Sequence, residues 1–248
     1  MSRPAPALRA TLAVTAMELR LLARRGENLL VTIVIPAAVL QFFASVNVLR
    51  TPGPPVNFLL PGSIALAVIA TSLVNLGIAT AYERRYGVLK RLGGSPLPRW
   101  GLLGAKVFAV IVVEVIQIVL LLAIAWFVLG WRPAAGLSPG LAIVALLLGT
   151  IAFAGLGLAM AGRLRTEAVL ALANGLFLVF LLLGGIVIPI GDLPAELARL
   201  ASFVPAAPLT ELLRIAFGMA GDPGPPLALL GAWAGLGSAL AAITFRWD

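Results

Sequence analysis

The chain of 248 residues has a mean hydropathy of +1.07, only 11% charged residues and a formal net charge of +8. A water-soluble domain carries roughly a quarter charged residues, so this composition indicates an integral membrane protein. The sequence contains no Cys and no His, which excludes disulfides, thiolate chemistry and the most common general base and metal ligand.

Six apolar stretches are long enough to cross a bilayer, which takes about 20 mostly apolar residues in a helix. We predict transmembrane helices at 29–48, 59–81, 102–129, 139–161, 168–190 and 226–245. The remaining segments are too short and too apolar to form a separate soluble domain. The predicted fold is therefore an all-α integral membrane protein with a single transmembrane domain over residues 1–248.

Residues 1–28 precede the first predicted span and are amphipathic between Leu8 and Arg25. At 100° per residue, the apolar side chains share one stripe and the Arg side chains cluster on another flank. We predict a cytoplasmic interfacial helix that lies along the inner leaflet. The alternative is a cytoplasmic extension of the first span.

Lys and Arg are distributed unevenly between the two sides of the predicted spans. Alternate connecting segments and termini hold thirteen and four of these residues, and the richer side is cytoplasmic by the positive-inside rule. We therefore expect a multi-pass protein of a bacterial cell membrane with both termini in the cytoplasm. Topology and attraction to anionic lipid explain the net positive charge, so no nucleic-acid partner is expected.

The segment 82–100, between the second and third spans, carries five of the eighteen basic residues and faces the cytoplasm. On a helical wheel of Tyr82–Leu92, one arc holds the residues Glu83, Arg84, Gly87, Lys90 and Arg91. The Gly and Pro residues of Gly93–Pro98 then end the helix. We predict that the second span continues into the cytoplasm as a short charged helix; the alternative is an ordinary solvated loop.

Several predicted spans contain polar residues, which at membrane depth must be paired, hydrated or functional. They are Thr71, Ser72, Asn75 and Thr80 in the second span, Glu114 and Gln117 in the third, and Asn174 in the fifth. Glu114 is interpreted as a contact for cationic substrates, as a proton site, or as a hydrogen-bond partner of another span. Lys106 lies close enough to the inner boundary to extend towards it. Gly231 and Gly235 form a G-x-x-x-G pattern that is typical of close helix packing.

The external segment 191–225 contains two short apolar stretches, near Ala195–Phe203 and Leu209–Phe217. Each is too short to span a bilayer, and Pro208 suits the start of the second helix. We predict two re-entrant helices, which are tolerated where protein or water covers the ends of their backbone. The alternative is a loop that lies on the surface.

Two of these regions resemble a known family. The pattern E-R-x-x-G-x-x-K-R-L followed by S-P-L-P, from Glu83 to Pro98, is similar to the cytoplasmic loop of type 2 ABC transporter permeases, in their drug-resistance exporter branch. The stretch Gly184–Gly218 is similar to the external segment of that family, with an apolar run ending in Pro, then L-P, and Leu213–Arg214 near its end. Six spans and cytoplasmic termini agree with the resemblance along the whole chain.

The resemblance implies a permease subunit that is not itself an enzyme. The stretch "GLLGAK" at Gly101–Lys106 lacks the spacing of a phosphate-binding loop, so no cofactor is expected on this chain. ATP and Mg²⁺ would bind to a separate cytoplasmic ABC ATPase subunit, present in two copies. A second permease subunit, identical or different, would complete a dimer in contact with membrane lipid.

The resemblance also implies roles for particular residues. The arc of Glu83, Arg84, Gly87, Lys90 and Arg91 would couple the ATPase to the spans. The substrate path of the family resembles a cleft between the second and fifth spans of two protomers, which points to Asn75 and Asn174. Together with polar residues elsewhere at membrane depth, the candidates for the substrate path are Thr71, Asn75, Glu114, Gln117 and Asn174. Candidates for the external gate are Pro189, Pro205, Pro208 and Arg214. No metal site is expected.

The implied activity is export of a hydrophobic or amphipathic substrate, either a drug or a lipid-like molecule. The alternatives are a non-transporting membrane scaffold and an ion-coupled secondary transporter, although the latter usually shows an internal repeat.

Overall fold

A computed structural model of the protein describes residues 7–24, 26–46, 53–93, 99–134 and 136–244, and these residues contain helices and no strand. The helices are α1 Ala7–Arg24, α2 Gly26–Val46, α3 Pro55–Val68, α4 Leu76–Arg85, α5 Val88–Gly93, α6 Arg99–Phe127, α7 Pro139–Arg163, α8 Thr166–Leu183, α9 Ala195–Phe203, α10 Ala206–Ala216 and α11 Gly224–Thr244. The prediction of an all-α membrane protein is confirmed.

The central helix of the bundle runs from Pro55 to Arg85 and joins α3 to α4 through a π-helical segment, Ile69–Asn75. In its most apolar window 78% of the residues are buried, against 22% in α8, so α3 forms the core and α8 the periphery. A π-helix inserts an extra residue into a turn and changes which side chains face a neighbour, and it occurs frequently at functional sites. Thr71 and Ser72, which lie in this segment, are buried.

Within the described residues, five helices are long and apolar enough to cross a membrane, namely Pro55–Arg85, Gly101–Phe127, Pro139–Arg163, Thr166–Leu183 and Gly224–Thr244. The remaining predicted span, 29–48, corresponds to α2, in which Thr32–Val46 is a shorter apolar helix. The prediction that the fifth span extends to residue 190 is wrong, because α8 ends at Leu183. Gly185 has φ +68°, a left-handed conformation that an α-helix does not continue through.

Helices α7 and α11 pack closely through glycines that the G-x-x-x-G pattern did not identify. A Cβ atom on Gly237 would lie 2.7 Å from the carbonyl oxygen of Ala152, and one on Gly155 would lie 2.4 Å from the carbonyl carbon of Gly237. In contrast, a Cβ atom on Gly231 or Gly235 would meet nothing within 4 Å. The expected role of Gly231 and Gly235 in close packing within this chain is therefore wrong.

The segment 191–225, predicted to be external, contains the two short helices that the sequence predicted. Helix α9 has the predicted bounds, but α10 starts at Ala206 rather than at Pro208, with Pro205 at its N-cap position. Helix α10 packs against α3, α7 and α11, and most of its residues are buried. The alternative of a loop on the surface is therefore wrong for α10, which is inserted into the bundle.

The N-terminal helix α1 packs along α6. The Thr15 hydroxyl donates a hydrogen bond to the Ala105 carbonyl oxygen at 3.4 Å, and the Glu18 side chain is buried in the same contact. The predicted position of α1 along the inner leaflet stays a prediction. The structure shows in addition that one face of α1 packs against α6.

Candidate functional site

A buried cluster of three charged residues joins three helices at the predicted cytoplasmic end of the bundle. The Lys106 Nζ atom of α6 donates to Glu83 Oε2 of α4 at 2.5 Å and to Glu18 Oε1 of α1 at 2.7 Å. Lys106 is 2% exposed and both glutamates are 7% exposed. Buried charges are stable only when they are paired and hydrogen-bonded, so this cluster, called the ion triad below, holds α1, α4 and α6 together.

The ion triad corrects two sequence-based predictions. Lys106 does not extend towards the membrane boundary, because two carboxylates neutralise it inside the protein. Glu83 was predicted on the exposed arc for ATPase docking, but its carboxylate faces Lys106 and is covered. Within one chain, Glu83 is therefore placed to fix α4 against α6 rather than to meet a cytoplasmic partner directly.

Two arginines connect the end of α4 to the start of α8. Arg84 donates to the Leu164 carbonyl oxygen, and Arg85 forms a salt bridge with Glu167. The Arg85–Glu167 pair is exposed on both sides, and such pairs contribute little to stability. The two contacts therefore fix the position of the end of α4 relative to the start of α8.

The predicted single helix over Tyr82–Leu92 is interrupted at Gly87. Helix α4 ends at Arg85, Gly87 has φ +68°, and α5 begins at Val88. A Cβ atom on Gly87 would meet nothing within 4 Å, so this position requires glycine for its backbone conformation and not for close approach. Because the helix is broken there, the five predicted residues do not form one arc.

After the break, Lys90 and Arg91 are exposed, whereas Leu89 is 1% exposed and packs in an apolar cluster with Leu102. The segment thus has a buried anchor beside two free cationic side chains. Ser95, Pro96, Leu97 and Pro98, which are part of the family resemblance, lie outside the described residues.

Thr71 and Gln117, two candidates for the substrate path, are hydrogen-bonded to each other inside the bundle. Thr71 Oγ1 donates to Gln117 Oε1 at 2.8 Å, and Gln117 Nε2 donates to the Thr32 carbonyl oxygen at 3.0 Å. Both side chains are at most 2% exposed. These hydrogen bonds link the π-helical segment to α6 and α2, so in this conformation Thr71 and Gln117 connect helices.

Glu114 lies one turn before Gln117 on α6 and contacts α7. Its Oε2 atom is 2.6 Å from Thr150 Oγ1, while its Oε1 atom is buried and has no hydrogen-bond partner among the described residues. Of the roles considered for Glu114, the structure shows the hydrogen bond to another span.

Asn75 and Asn174 line the same open cleft of this chain, and the substrate path between two protomers stays a prediction. The cleft has a volume of about 330 Å³ between the central helix and α8. Its lining residues are Thr32, Val74, Asn75, Ile78, Tyr82, Leu170 and Asn174. Asn174 is exposed and donates from Nδ2 to the Leu170 carbonyl oxygen of its own helix at 2.8 Å. The cleft therefore combines apolar walls with two amide side chains.

Arg214 of α10 anchors the predicted external end. Its guanidinium donates to the carbonyl oxygen of Gly185 and, at 3.5 Å, to that of Ile186, and it lies 3.5 Å from the centroid of the Phe58 ring. Burial lowers the pKa of Arg214 to about 10, an effect that Glu211 opposes, so the side chain stays charged at neutral pH.

A second cavity, of about 600 Å³, lies beside this anchor. Three of the four gate candidates, Pro189, Pro208 and Arg214, are among its lining residues, together with Glu211 and Asp222. Pro205 is buried at the start of α10 instead. The structure thus brings Pro189, Pro208 and Arg214 together and assigns Pro205 to the helix start.

Sequence reasoning missed Glu18 and Thr150. Glu18 is an acidic residue within an otherwise Arg-rich amphipathic helix, and that exception was a usable signal. Thr150 carried no signal, since Thr in an apolar helix commonly bonds to its own backbone.

The matched family model supplies an independent comparison. Residues 9–217 match the model described as ABC-2 type transporter. The match extends from the third residue of α1 to just past the end of α10 and includes all the residues of the ion triad and of the Asn75–Asn174 cleft. No curated protein matches the chain.

Proposed function

Because the chain belongs to the ABC-2 type transporter family, we propose that it is the membrane subunit of an exporter that moves hydrophobic or amphipathic molecules, drug-like or lipid-like, out of a bacterial cell. Membership in this family makes the chain a permease component of an ABC transporter. The direction, the substrate class, the ATPase and the dimer are the proposed parts.

The proposed substrate class is inferred from the open cleft between the central helix and α8. An amphipathic molecule needs apolar walls for its body and a small number of polar groups for its head. Val74, Ile78 and Leu170 supply the walls, and Asn75 and Asn174 supply amide donors and acceptors. A neutral amide pair favours uncharged polar groups over strongly anionic ones.

A second permease subunit would close this cleft. Helix α8 carries exposed apolar side chains along its length, namely Leu170, Leu172, Leu178, Val179 and Leu182. A bilayer tolerates such a surface, but the amides of the neighbouring cleft are better matched by protein or by a transported molecule than by lipid tails. We therefore place α8 and the cleft at the boundary between two protomers.

The cytoplasmic segment is the proposed docking surface for the ATPase. Arg85, Lys90 and Arg91 are exposed, which suits an acidic groove on a partner that binds ATP and Mg²⁺. Force applied to α5 would reach α6 and α1 through the ion triad and α8 through Arg85–Glu167. In this arrangement Glu83 and Arg84 would contact other helices of the permease and not the ATPase. Each protomer would bind one ATPase subunit.

Docking is tested by co-purification with an ABC ATPase from the same genome. The double variant Lys90→Glu/Arg91→Glu should recover at least about tenfold less ATPase, because reversed charges at an interface repel the acidic partner. Arg199→Glu, which alters an exposed residue of the external helix α9, is the matched control and should bind normally. Normal recovery with the double variant would contradict the assigned docking surface.

The substrate path is tested in proteoliposomes that contain the permease and the ATPase. Amphipathic dyes and lipid analogues should stimulate ATP hydrolysis by the wild type, and Asn174→Leu should lose this stimulation while it keeps basal hydrolysis. Ser238→Leu makes a similar change on the exposed face of α11 and should behave as wild type. Transport by the permease without any ATPase would favour the ion-coupled alternative.

A further inference from the structure

The contact between Glu114 and Thr150 determines where a proton lies. Thr150 Oγ1 is 2.8 Å from the Leu146 carbonyl oxygen and 2.6 Å from Glu114 Oε2. A threonine hydroxyl has one hydrogen to donate and two lone pairs to accept with. A carbonyl oxygen only accepts, so if the hydroxyl hydrogen points to Leu146, the hydrogen in the second contact belongs to the Glu114 carboxyl.

The other carboxyl oxygen supports the same assignment. Glu114 Oε1 is buried and has no hydrogen-bond partner in the part of the chain that the structure describes. In an ionised carboxylate this oxygen would carry half of a negative charge without any donor, which is costly away from water. In a protonated carboxyl it is a neutral carbonyl oxygen, and leaving it unpaired costs much less.

The charged groups of the neighbouring helices offer no counter-ion at this depth. Helix α6 contacts α1, α2, α3, the π-helical segment and α7. Neither α3 nor the π-helical segment contains a charged residue. Those of the other helices are Arg9, Glu18, Arg20 and Arg24 on α1, Glu27 on α2, and Arg163 on α7.

On α6 itself, the charged residues other than Glu114 are Arg99 and Lys106. Lys106 lies two turns from Glu114, roughly 12 Å along the helix axis, and is bound to Glu18 and Glu83. Arg163 is at the C-terminal end of α7, thirteen residues beyond Thr150. A negative charge on Glu114 would therefore lack compensation in this conformation.

We propose that Glu114 is a proton-binding site of the membrane domain, with its carboxyl protonated in this conformation and donating a hydrogen bond to Thr150 Oγ1. The bound proton joins α6 to α7. Its release requires water or another acceptor at Glu114, and this in turn requires the two helices to separate. Proton occupancy is thus linked to the packing of α6 against α7.

The test is infrared spectroscopy of the complete chain in lipid bilayers at neutral pH, without any ATPase or substrate. The wild type should show the C=O stretching band of a protonated carboxylic acid, and Glu114→Gln should lack it. Glu196→Gln removes an exposed carboxylate of α9 and should leave the acid band unchanged. If Glu114→Gln instead loses carboxylate absorption and the acid band is absent from the wild type, the proposal is overturned.

The variant Thr150→Val keeps the proposal testable even if Glu114→Gln does not fold. Valine has nearly the shape of threonine but accepts no hydrogen bond. The acid band should persist in Thr150→Val and move to higher frequency, because its O–H has lost its acceptor. An acid band at an unchanged frequency would contradict the bond to Thr150. Since the isolated permease is measured, failure here is distinguishable from failure of the proposed transport function.

Discussion

Lys106 is a buried cation and Arg214 a half-buried one, and they lie near opposite ends of the bundle with different partners. Lys106 is bound by two carboxylates from two other helices. Arg214 is bound by backbone carbonyl oxygens of the segment after α8 and lies over the Phe58 ring. The ion triad depends on three side chains from separate elements, whereas the Arg214 anchor fixes a backbone turn.

The two kinds of partner predict different losses of stability when the cation at either end is removed. Removing the Lys106 cation leaves two carboxylates buried without a counter-ion, so stability there depends strongly on pairing. Removing Arg214 leaves neutral carbonyl groups unsatisfied, which costs less. We therefore expect the Lys106 end of the bundle to be the more sensitive of the two to loss of its buried cation.

The largest effect is expected for Lys106→Met, which breaks the ion triad. Glu18 and Glu83 would remain buried near each other without a cation, a change that typically costs about 3–5 kcal/mol. Thermal unfolding in detergent should show a strongly lowered midpoint. Lys90→Met, at an exposed lysine of the neighbouring helix, is the control and should unfold as the wild type does.

A rescue variant separates lost pairing from lost packing. Lys106→Met combined with Glu18→Gln and Glu83→Gln removes all three charges, and replacement of a complete buried ion cluster is often nearly neutral. Most of the stability should return. A triple variant as unstable as Lys106→Met alone would show that the charges are not the cause.

Disrupting the contacts of Arg214 should lower the stability less than disrupting the ion triad does. Arg214→Leu removes the donors to Gly185 and Ile186, and hydrogen bonds to a charged group are worth about 1.5–3 kcal/mol. The same unfolding assay should show a moderate decrease. Arg199→Leu removes only an exposed salt bridge with Glu196 and is the control. A larger loss for Arg214→Leu than for Lys106→Met would reverse the comparison.

The packing between α7 and α11, which lies between the two ends, should be disturbed by a methyl group added at Gly237 but not by one added at Gly235. In Gly237→Ala the new methyl group would collide with the Ala152 carbonyl oxygen, and such overpacking costs about 1–3 kcal/mol. Gly235→Ala has open space and should not destabilise the protein. Equal unfolding midpoints for the two variants would contradict this arrangement of α11.

The smallest effect is expected at the break in the cytoplasmic segment. Gly87→Ala places a Cβ atom on a residue with φ +68°, which costs about 1–2 kcal/mol. Gly104→Ala, at a helical glycine with open space, is the control and should be neutral or slightly stabilising. If Gly87→Ala is as stable as Gly104→Ala, the segment is a continuous helix, as the sequence alone predicted.

The sequence predicted the features that depend on local composition. Apolar length predicted the five helices that are long and apolar enough to cross a membrane, and the short apolar stretch Ala195–Phe203 matches the bounds of α9. Asn75 and Asn174 were singled out as polar residues at membrane depth, and both line one cleft of this chain. Each of these predictions needs only the properties of one segment or the order of segments.

Features that depend on how helices rotate and converge could not be predicted. Lys106 is 88 residues from Glu18 and 23 from Glu83, so no local pattern connects them. The helical wheel of Tyr82–Leu92 assumed a continuous helix, and one glycine in the left-handed region invalidates it. The G-x-x-x-G pattern selected Gly231 and Gly235, but the rotation of α11 presents Gly237 to α7.

The position of the cleft at the boundary between two protomers is the central claim of the proposed transport mechanism. The chain contains no Cys, so a single introduced Cys gives a unique cross-linking site. In membranes under oxidising conditions, Asn174→Cys on α8 should form a covalent dimer and stop transport, whereas Ser238→Cys on α11 should stay monomeric. A covalent dimer through Cys at position 238, with none at position 174, would contradict the claim.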